Sequence, residues 1–231
     1  MKAMILAAGF GVRLKPITDI IPKPLIKIKD KPVIEYVLEQ VKNAGIHDVI
    51  INLHHLGDMI KFTLGNGERF GLSLHYSYEP EIKGTAGALL WAKKYLDEPF
   101  FLINGDILFN VALSILPQIL NNKHADAVMV VHPADETEHK ISNVFIDKQG
   151  YVKSLFKPYP ETRSYVFTGI QLLKPDALNY IPEDVKQPST TTHMYPEMLK
   201  HGSLIACYIH DGLWIDIGDT KRLGYARNVI K

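Results

Sequence analysis

The sequence predicts an α/β fold: a single three-layer domain with a mixed, mainly parallel sheet and helices on both faces. Three observations predict it. Short apolar runs alternate with amphipathic helical segments from Ala3 to Val131. A glycine-rich loop follows the first apolar run, as it does at the carboxyl ends of strands in open parallel sheets. After about residue 133 the pattern changes to short strands separated by turns, which brings antiparallel pairs into the sheet.

The elements follow in order. Ala3 to Ala7 is an apolar run that stops at Gly9 and reads as a buried strand. Pro32 to Ala44 reads as a helix, with Val33, Ile34, Val37, Leu38 and Val41 on one face and Gly45 as its stop. Asp48 to Leu53 is the next strand, and Gly57 to Leu64 a short helix closed by Gly65. Leu72 to Ser77 alternates apolar and polar residues, as a half-exposed strand does. Thr85 to Leu96 reads as a helix with Thr85 as its cap. Phe100 to Asn104 is a strand, Leu113 to Leu120 a helix and Ala127 to Val131 a strand. Strands are expected at Val144 to Ile146, Tyr151 to Phe156, Tyr165 to Leu173 and Leu204 to Ile209. Short helices are expected at Asp176 to Ile181 and Tyr195 to Lys200, with a last helix from Thr220. Gln187 to His193, with Pro188 and its run of Ser and Thr, reads as a mobile loop. Residues 1–231 fit one domain, with a division near residues 133 and 134 where the pattern changes.

Composition narrows the function. Lys and Arg number 26 and Asp and Glu 25, a net charge of +1. A protein that grips a nucleic-acid backbone carries a basic surplus, so nucleic acid is not expected as a partner. Any anionic ligand must be held by a few placed cations. No apolar run approaches the ~20 residues that span a bilayer, so no membrane is expected. Cys207, the one cysteine, lies in an apolar run and reads as a buried hydrophobe. A soluble cytoplasmic chain is the expectation.

The sharpest local signal is Leu6-Ala7-Ala8-Gly9-Phe10-Gly11-Val12-Arg13-Leu14. Small residues let main-chain N–H groups approach a phosphate, and Arg13 supplies a two-pronged donor to its oxygens. Leu14 stands where a dinucleotide fingerprint needs its third glycine, and no Gly-Lys-Ser/Thr makes a Walker loop. On spacing alone a tight turn without a ligand stays open. Pro22-Lys23-Pro24-Leu25 sets a lysine on a stiff, extended backbone, which suits an ammonium aimed at one phosphate. Asn104-Gly105-Asp106 ends a strand, and Asp216 precedes Gly218. Two such aspartates suit Mg2+, which takes few protein ligands and keeps waters and phosphate oxygens for the rest; on the residues alone, a strand-end turn at Asp106 and an ion pair at Asp216 stay open. His54-His55 reads as structural or solvated, since neighbours on one strand point to opposite faces.

The glycine loop with Pro22-Lys23-Pro24-Leu25 resembles the signature of the sugar-1-phosphate nucleotidylyltransferases. The resemblance continues through Gly84-Thr85-Ala86-Gly87-Ala88, Asn104-Gly105-Asp106, Thr168-Gly169-Ile170 and Trp214-Ile215-Asp216-Ile217-Gly218, in the family's order. It implies a Rossmann-like nucleotide-diphospho-sugar transferase fold. It further implies a Mg2+-dependent transfer from an NTP to a sugar 1-phosphate, with release of pyrophosphate. The members it looks most like are mannose-1-phosphate guanylyltransferase and N-acetylmuramate 1-phosphate uridylyltransferase, so GTP and UTP both stay open.

By the same resemblance Arg13, Lys23 and Asp106 would be catalytic, with Asp106 and Asp216 as metal ligands. Ala8, Gly9, Gly11, Glu79, Gly84 and Thr85 would line the nucleotide, with Glu79 reading the base. Asn143, Lys157, Thr168 and Gly169 would line the sugar phosphate. Residues 1–133 would then be mainly the nucleotide half and 134–231 mainly the sugar-phosphate half, in a monomer or homodimer.

The chain departs from the family at Phe156-Lys157-Pro158, where a glutamate commonly precedes the lysine, and at Ser142-Asn143, which replaces a Tyr-Gly pair. Both departures bear on the sugar. Two rivals come from other classes. A glycosyltransferase of similar fold would use Asp-x-Asp, and Asn104 breaks that motif. A nucleotide-sensing subunit without catalysis could discard Arg13, Lys23 and both aspartates, yet the chain retains all four.

Overall fold

A computed structural model of the chain describes residues 1–133 and 143–230. Its strands in chain order are β1 (Lys2–Leu6), β2 (Lys27–Ile28), β3 (Lys31–Pro32), β4 (Asp48–Leu53), β5 (Ser73–Tyr78), β6 (Phe100–Asn104), β7 (Ile107–Phe109), β8 (Ala127–Pro133), β9 (Asn143–Ile146), β10 (Val152–Leu155), β11 (Arg163–Leu173), β12 (Ile205–Ile209) and β13 (Trp214–Asp216). The α-helices are α1 (Ile17–Ile20), α2 (Val33–Asn43), α3 (Gly57–Leu64), α4 (Gly84–Trp91), α5 (Leu116–Asn122), α6 (Tyr195–Lys200) and α7 (Thr220–Val229). The class is the expected one, a mixed, mainly parallel sheet accompanied by helices. Among the described residues no helix is long and apolar enough to cross a membrane.

The chain groups into two compact units. The first holds residues 1–82 and 103–113 and the stretch from Gly212 onward; the second holds 83–102 and 114–211. Asp216 therefore belongs to the unit that carries the glycine loop.

In the first unit β4 lies parallel to β1 and to β5, with Leu6 beside Asn52 and Asn52 beside Ser77. Ala3, Met4 and Ile5 of β1 and Val49, Ile50 and Ile51 of β4 are fully buried, as continuous apolar runs in a parallel sheet should be. Helix α2 buries the five apolar residues that its spacing singled out, and Gly45, at φ +76°, closes it. Truncating one of them, as in Leu38→Ala, would cost about 2–5 kcal/mol.

A second apolar cluster lies under the sequence motifs. Leu14, Ile26, Ile28, Leu108, Ile215, Ile217 and Leu223 pack together. Arg13, Asp106 and Asp216 each have a near neighbour in sequence within this cluster. Leu14 follows Arg13, Leu108 lies just beyond Asp106, and Ile215 and Ile217 flank Asp216.

In the second unit β8 pairs parallel with β12 and antiparallel with β11, β9 pairs with β11, and β10 with β9. The β11–β8 register shifts between Phe167 and Gln171. Thr168-Gly169 occupies that irregularity, with Gly169 at φ +80°. The Thr168 hydroxyl donates to the Val130 carbonyl at 2.8 Å, bonding across the place where the ladder breaks.

Several local expectations are corrected. The segment around Lys23 forms a tight 3-10 turn, Lys23–Leu25, rather than extended chain, and Val12–Leu14 forms another. Proline fixes φ at a value that such turns share, so Pro24 fits inside one. Thr85 is not a cap: Lys83 is, and Thr85 lies in the first turn of α4. The segment read as a mobile loop contains a regular π-helical turn at Thr190–Met194, started by a bond from Thr191 N–H to the Ser189 hydroxyl. Ser142 lies outside the described residues.

Candidate active site

The first unit gathers its charged residues where its parallel strands end. Beyond β1 comes the glycine loop. Gly11 takes the left-handed conformation, φ +62°, and a side chain there would meet Thr18 at 2.7 Å. The buried Thr18 donates its hydroxyl to the Gly11 carbonyl at 2.9 Å and so pins the turn. Around Gly9, by contrast, a side chain would meet nothing within 4 Å among the described residues. Packing does not require that glycine, and the main chain there is open to approach.

Gly105 packs hard against the same strand. Its N–H donates to the Leu6 carbonyl at 2.9 Å, and a Cβ would lie 2.8 Å from that oxygen. Only glycine allows this approach, which sets Asp106 beside the glycine loop. Asp216 arrives from the other end of the chain through the β13–β7 pair, where it stands opposite Ile107. The Ile217 N–H donates to the Asp106 carbonyl at 3.2 Å. Two carboxylates distant in sequence thus become main-chain neighbours.

The Lys23 ammonium pairs with Asp106 and stands 3.6 Å from Asp216 Oδ1. Arg222, on the first turn of α7, reaches Asp216 Oδ2 at 3.4 Å. Asp219 caps that helix by accepting from the Arg222 N–H at 2.9 Å. Arg13 lies against Gly218: a Cβ on Gly218 would sit 2.7 Å from the Arg13 Nη2. Asp216 Oδ1 is buried and has no hydrogen-bond partner among the described residues. Burial, and then the Asp106 charge, raise the Asp216 carboxyl above its ordinary range, against the opposing pull of Lys23, Arg222 and Arg13. The unspent buried oxygen of Asp216 and the neighbouring Asp106 carboxylate offer the hard oxygen donors that a divalent cation takes.

Glu79, which follows β5, is 1% exposed, so it is not a surface glutamate. His54 and His55 do not point to opposite faces of a strand, because β4 ends at Leu53. Both rings meet Phe10, each with centroids 5.4 Å apart. His54 Nδ1 lies 2.8 Å from the Glu79 carbonyl and His55 Nε2 2.8 Å from the Thr18 carbonyl. A carbonyl only accepts, so both ring nitrogens donate, and the pair is structural.

The other motif residues belong to the second unit. Gly84, at φ +74°, leaves no room for a side chain, since a Cβ would lie 2.7 Å from the Pro188 carbonyl. That carbonyl accepts from Ala86 N–H at 2.9 Å, and the Thr85 hydroxyl accepts from Thr190 N–H at 2.9 Å. Lys157 is exposed in a turn, with its carbonyl accepting from the Ser154 hydroxyl at 2.6 Å. Asn143 Oδ1 is buried and has no partner among the described residues. Cys207 is buried, which pushes its thiol well above the ordinary range and leaves it unreactive.

Sequence reasoning missed two residues of this region. Asn52 was legible as a polar residue inside an apolar strand. Arg222 was legible only as a basic residue one turn after Asp219.

A glycine loop thus follows a strand of this α/β fold, with arginine, lysine and paired carboxylates beside it. The nucleotidyl transferase family matches residues 2–230, and the chain belongs to that family. The catalytic subunit beta of mannose-1-phosphate guanylyltransferase from Drosophila melanogaster is 32% identical over 225 residues, covering 95% of this chain and 60% of that protein. A UTP–glucose-1-phosphate uridylyltransferase from Synechocystis is 31% identical over 234 residues, covering 94% of this chain and 60% of that protein. The chain thus spans about 60% of the length of these curated relatives. A Bacillus anthracis crystal structure, assigned as a glucose-1-phosphate thymidylyltransferase and solved with sucrose, superposes with a TM-score of 0.86 at 26% identity. That match covers 99% of this chain and 94% of the other.

Proposed function

We propose that the chain transfers a nucleotidyl group from an NTP to a sugar 1-phosphate, releasing pyrophosphate, with GTP and mannose 1-phosphate as the favoured pair. The observation that carries this reading is the convergence of Arg13, Lys23, Asp106 and Asp216 beside an accessible glycine loop. An oxygen of the sugar phosphate attacks the α-phosphorus in line. The bond from that phosphorus to the α,β-bridging oxygen breaks, and pyrophosphate leaves with the electron pair.

The residues divide the work. Ala8, Gly9 and Gly11 bring main-chain groups to the triphosphate, with Gly84 and Thr85 as the second nucleotide-binding turn. Arg13 holds the β- and γ-phosphates, and Lys23 neutralises charge at the α-phosphate. Asp106 and Asp216 would hold Mg2+, which supplies charge neutralisation for the entering and leaving oxygens. The unpartnered Asp216 oxygen supports that assignment. Among the described residues no group of three or more His, Cys, Asp or Glu suits a metal, so phosphate oxygens and water would complete the shell. A sugar phosphate dianion needs no general base, in keeping with two histidines whose donors face main-chain carbonyls.

Lys157 and Asn143, with Thr168 and Gly169, form the sugar-phosphate side. Asn143 Oδ1, buried and without a partner among the described residues, would accept from a sugar hydroxyl. Glu79 would accept from N1–H and the amino group of guanine. The Synechocystis relative favours a second reading, a uridylyltransferase.

The test is pyrophosphate release across a grid of NTPs and sugar 1-phosphates. The expected maximum is GTP with mannose 1-phosphate. A UTP maximum selects the second reading. Silence across the grid, with retained nucleotide binding, selects a sensing subunit, and transfer only from a preformed nucleotide sugar selects a glycosyltransferase.

A further inference from the structure

The geometry points to Asn52 as a positioning residue that holds the glycine loop and the Glu79 carboxylate in one fixed relation. This inference rests on the proposed reading of that loop as the nucleotide cradle. Asn52 is 3% exposed and stands in β4 among Val49, Ile50, Ile51 and Leu53, all buried. A buried amide costs stability unless both of its ends are bonded, and here both are. Ala7 N–H donates to Asn52 Oδ1 at 2.7 Å, and Asn52 Nδ2 donates to Glu79 Oε1 at 2.7 Å.

The orientation of the amide follows from its partners. A main-chain N–H only donates, so the oxygen must face Ala7. The reverse orientation would oppose two N–H groups at Ala7 and two oxygens at Glu79.

The placement gives the bridge its purpose. Asn52 lies beside Leu6 in the β1–β4 register, and its side chain takes the next N–H along, where the main-chain ladder stops. Ala8 and Gly9 follow directly. On the other side the Glu79 main chain is already fixed: its N–H donates to the Leu53 carbonyl at 2.8 Å, and its carbonyl accepts from His54. Of the two bonds Asn52 makes, one sets where the loop begins and the other sets where the Glu79 carboxylate points. On the proposed reading the base lies against the first and is read by the second, so one side chain registers the two against each other.

The experiment is a four-member cycle of wild type, Asn52→Asp, Glu79→Gln and the double variant. Asn52→Asp still accepts from Ala7 but faces Glu79 with an oxygen. In the double variant the introduced glutamine amide donates to the introduced aspartate carboxylate. That restores the bond with donor and acceptor exchanged. Affinity for a non-hydrolysable NTP is read by calorimetry, KM for each substrate by pyrophosphate release, and folding by thermal unfolding.

Asn52→Asp is expected to weaken NTP binding by about tenfold or more, the size of one lost charge-assisted hydrogen bond, and to leave the sugar 1-phosphate KM unchanged. Glu79→Gln should weaken NTP binding in the wild-type background and strengthen it in the Asn52→Asp background. That reversal of sign supports the inference. Additive losses, or parallel loss of both substrates in step with melting temperature, would overturn it in favour of a purely structural role. Where Asn52→Asp is too unstable to assay, the double variant is compared with Glu79→Gln: equal or tighter NTP binding supports positioning and weaker binding overturns it. A wild type that binds the analogue but transfers nothing overturns the proposed reaction and leaves the affinity cycle able to decide on Asn52.

Discussion

At the scale of single residues the charge balance around Asp216 governs what the site can do. Asp106 and Asp216 share the Lys23 ammonium, and one Asp216 oxygen remains unspent. Asp106→Ala removes half of the proposed cation site and releases Lys23 from its partner. We expect turnover to fall by at least a hundredfold or so, the scale on which charge stabilisation of a transition state acts. Pyrophosphate release with and without excess chelator checks it; full activity in chelator would remove the metal from the mechanism. Gly218→Ala probes Arg13 and, 3.1 Å from the same methyl, Asp216 Oδ1. The new methyl would lie 2.7 Å from the guanidinium, so the flexible end of Arg13 must move aside. Stability should hardly change, because a side-chain tip yields cheaply. Turnover should drop by about tenfold to a hundredfold, since roughly an ångström of misplacement costs that much. Steady-state kinetics beside a melting curve separates the two effects. A lowered melting temperature at unchanged turnover would count against Arg13's assigned role.

At the scale of elements, the start of α4 depends on a segment distant in sequence. The Ala86 and Gly87 N–H groups of its first turn donate to the Pro188 carbonyl, and the Thr85 hydroxyl accepts from Thr190 N–H. Thr190 is 3% exposed, so that N–H has little access to water. Thr85→Val keeps the shape and removes the acceptor, leaving a buried donor unmet. The expected cost is about 1–3 kcal/mol of unfolding free energy. Thr85→Ser, which keeps the hydroxyl, should recover most of it. Denaturant unfolding of the two variants decides the matter, and equal stability would assign the Thr85 hydroxyl elsewhere. The π-helical turn after Pro188 reads from sequence as a mobile loop because its residues are turn-formers. Its regularity comes from partners on α4, which no local pattern reveals.

At the scale of the whole molecule, the two units carry different parts of the proposed reaction. The first holds Arg13, Lys23, Glu79 and both aspartates; the second holds Gly84, Thr85, Asn143 and Lys157. Lys157 lies exposed after β10 and is assigned to the acceptor phosphate. Lys157→Ala should weaken the sugar 1-phosphate by about tenfold to a hundredfold, the loss of one hydrogen bond to a charged group. NTP affinity should be unaffected. Calorimetric titration with each substrate separately reads the split, and a selective loss of NTP affinity would reassign Asn143, Thr168 and Gly169 along with Lys157.

What the sequence determined by itself is whatever depends on short spacing. The apolar runs of β1, β4 and β6, the one-sided face of α2 and the small residues of the glycine loop are local patterns, and the boundaries of those elements followed within a few residues. The order of the motifs was likewise enough to point to the family. The tertiary structure decided what meets what. β7 and β13 are three residues long, too short for any periodicity, yet their pairing sets Asp106 beside Asp216. Asn52 is a polar residue in an apolar strand, and only its partners Ala7 and Glu79 account for it. The physical reason is common to both cases. A hydrogen bond between distant segments leaves no period in either one, and a buried polar group reveals its purpose only when the partners that satisfy it are in place.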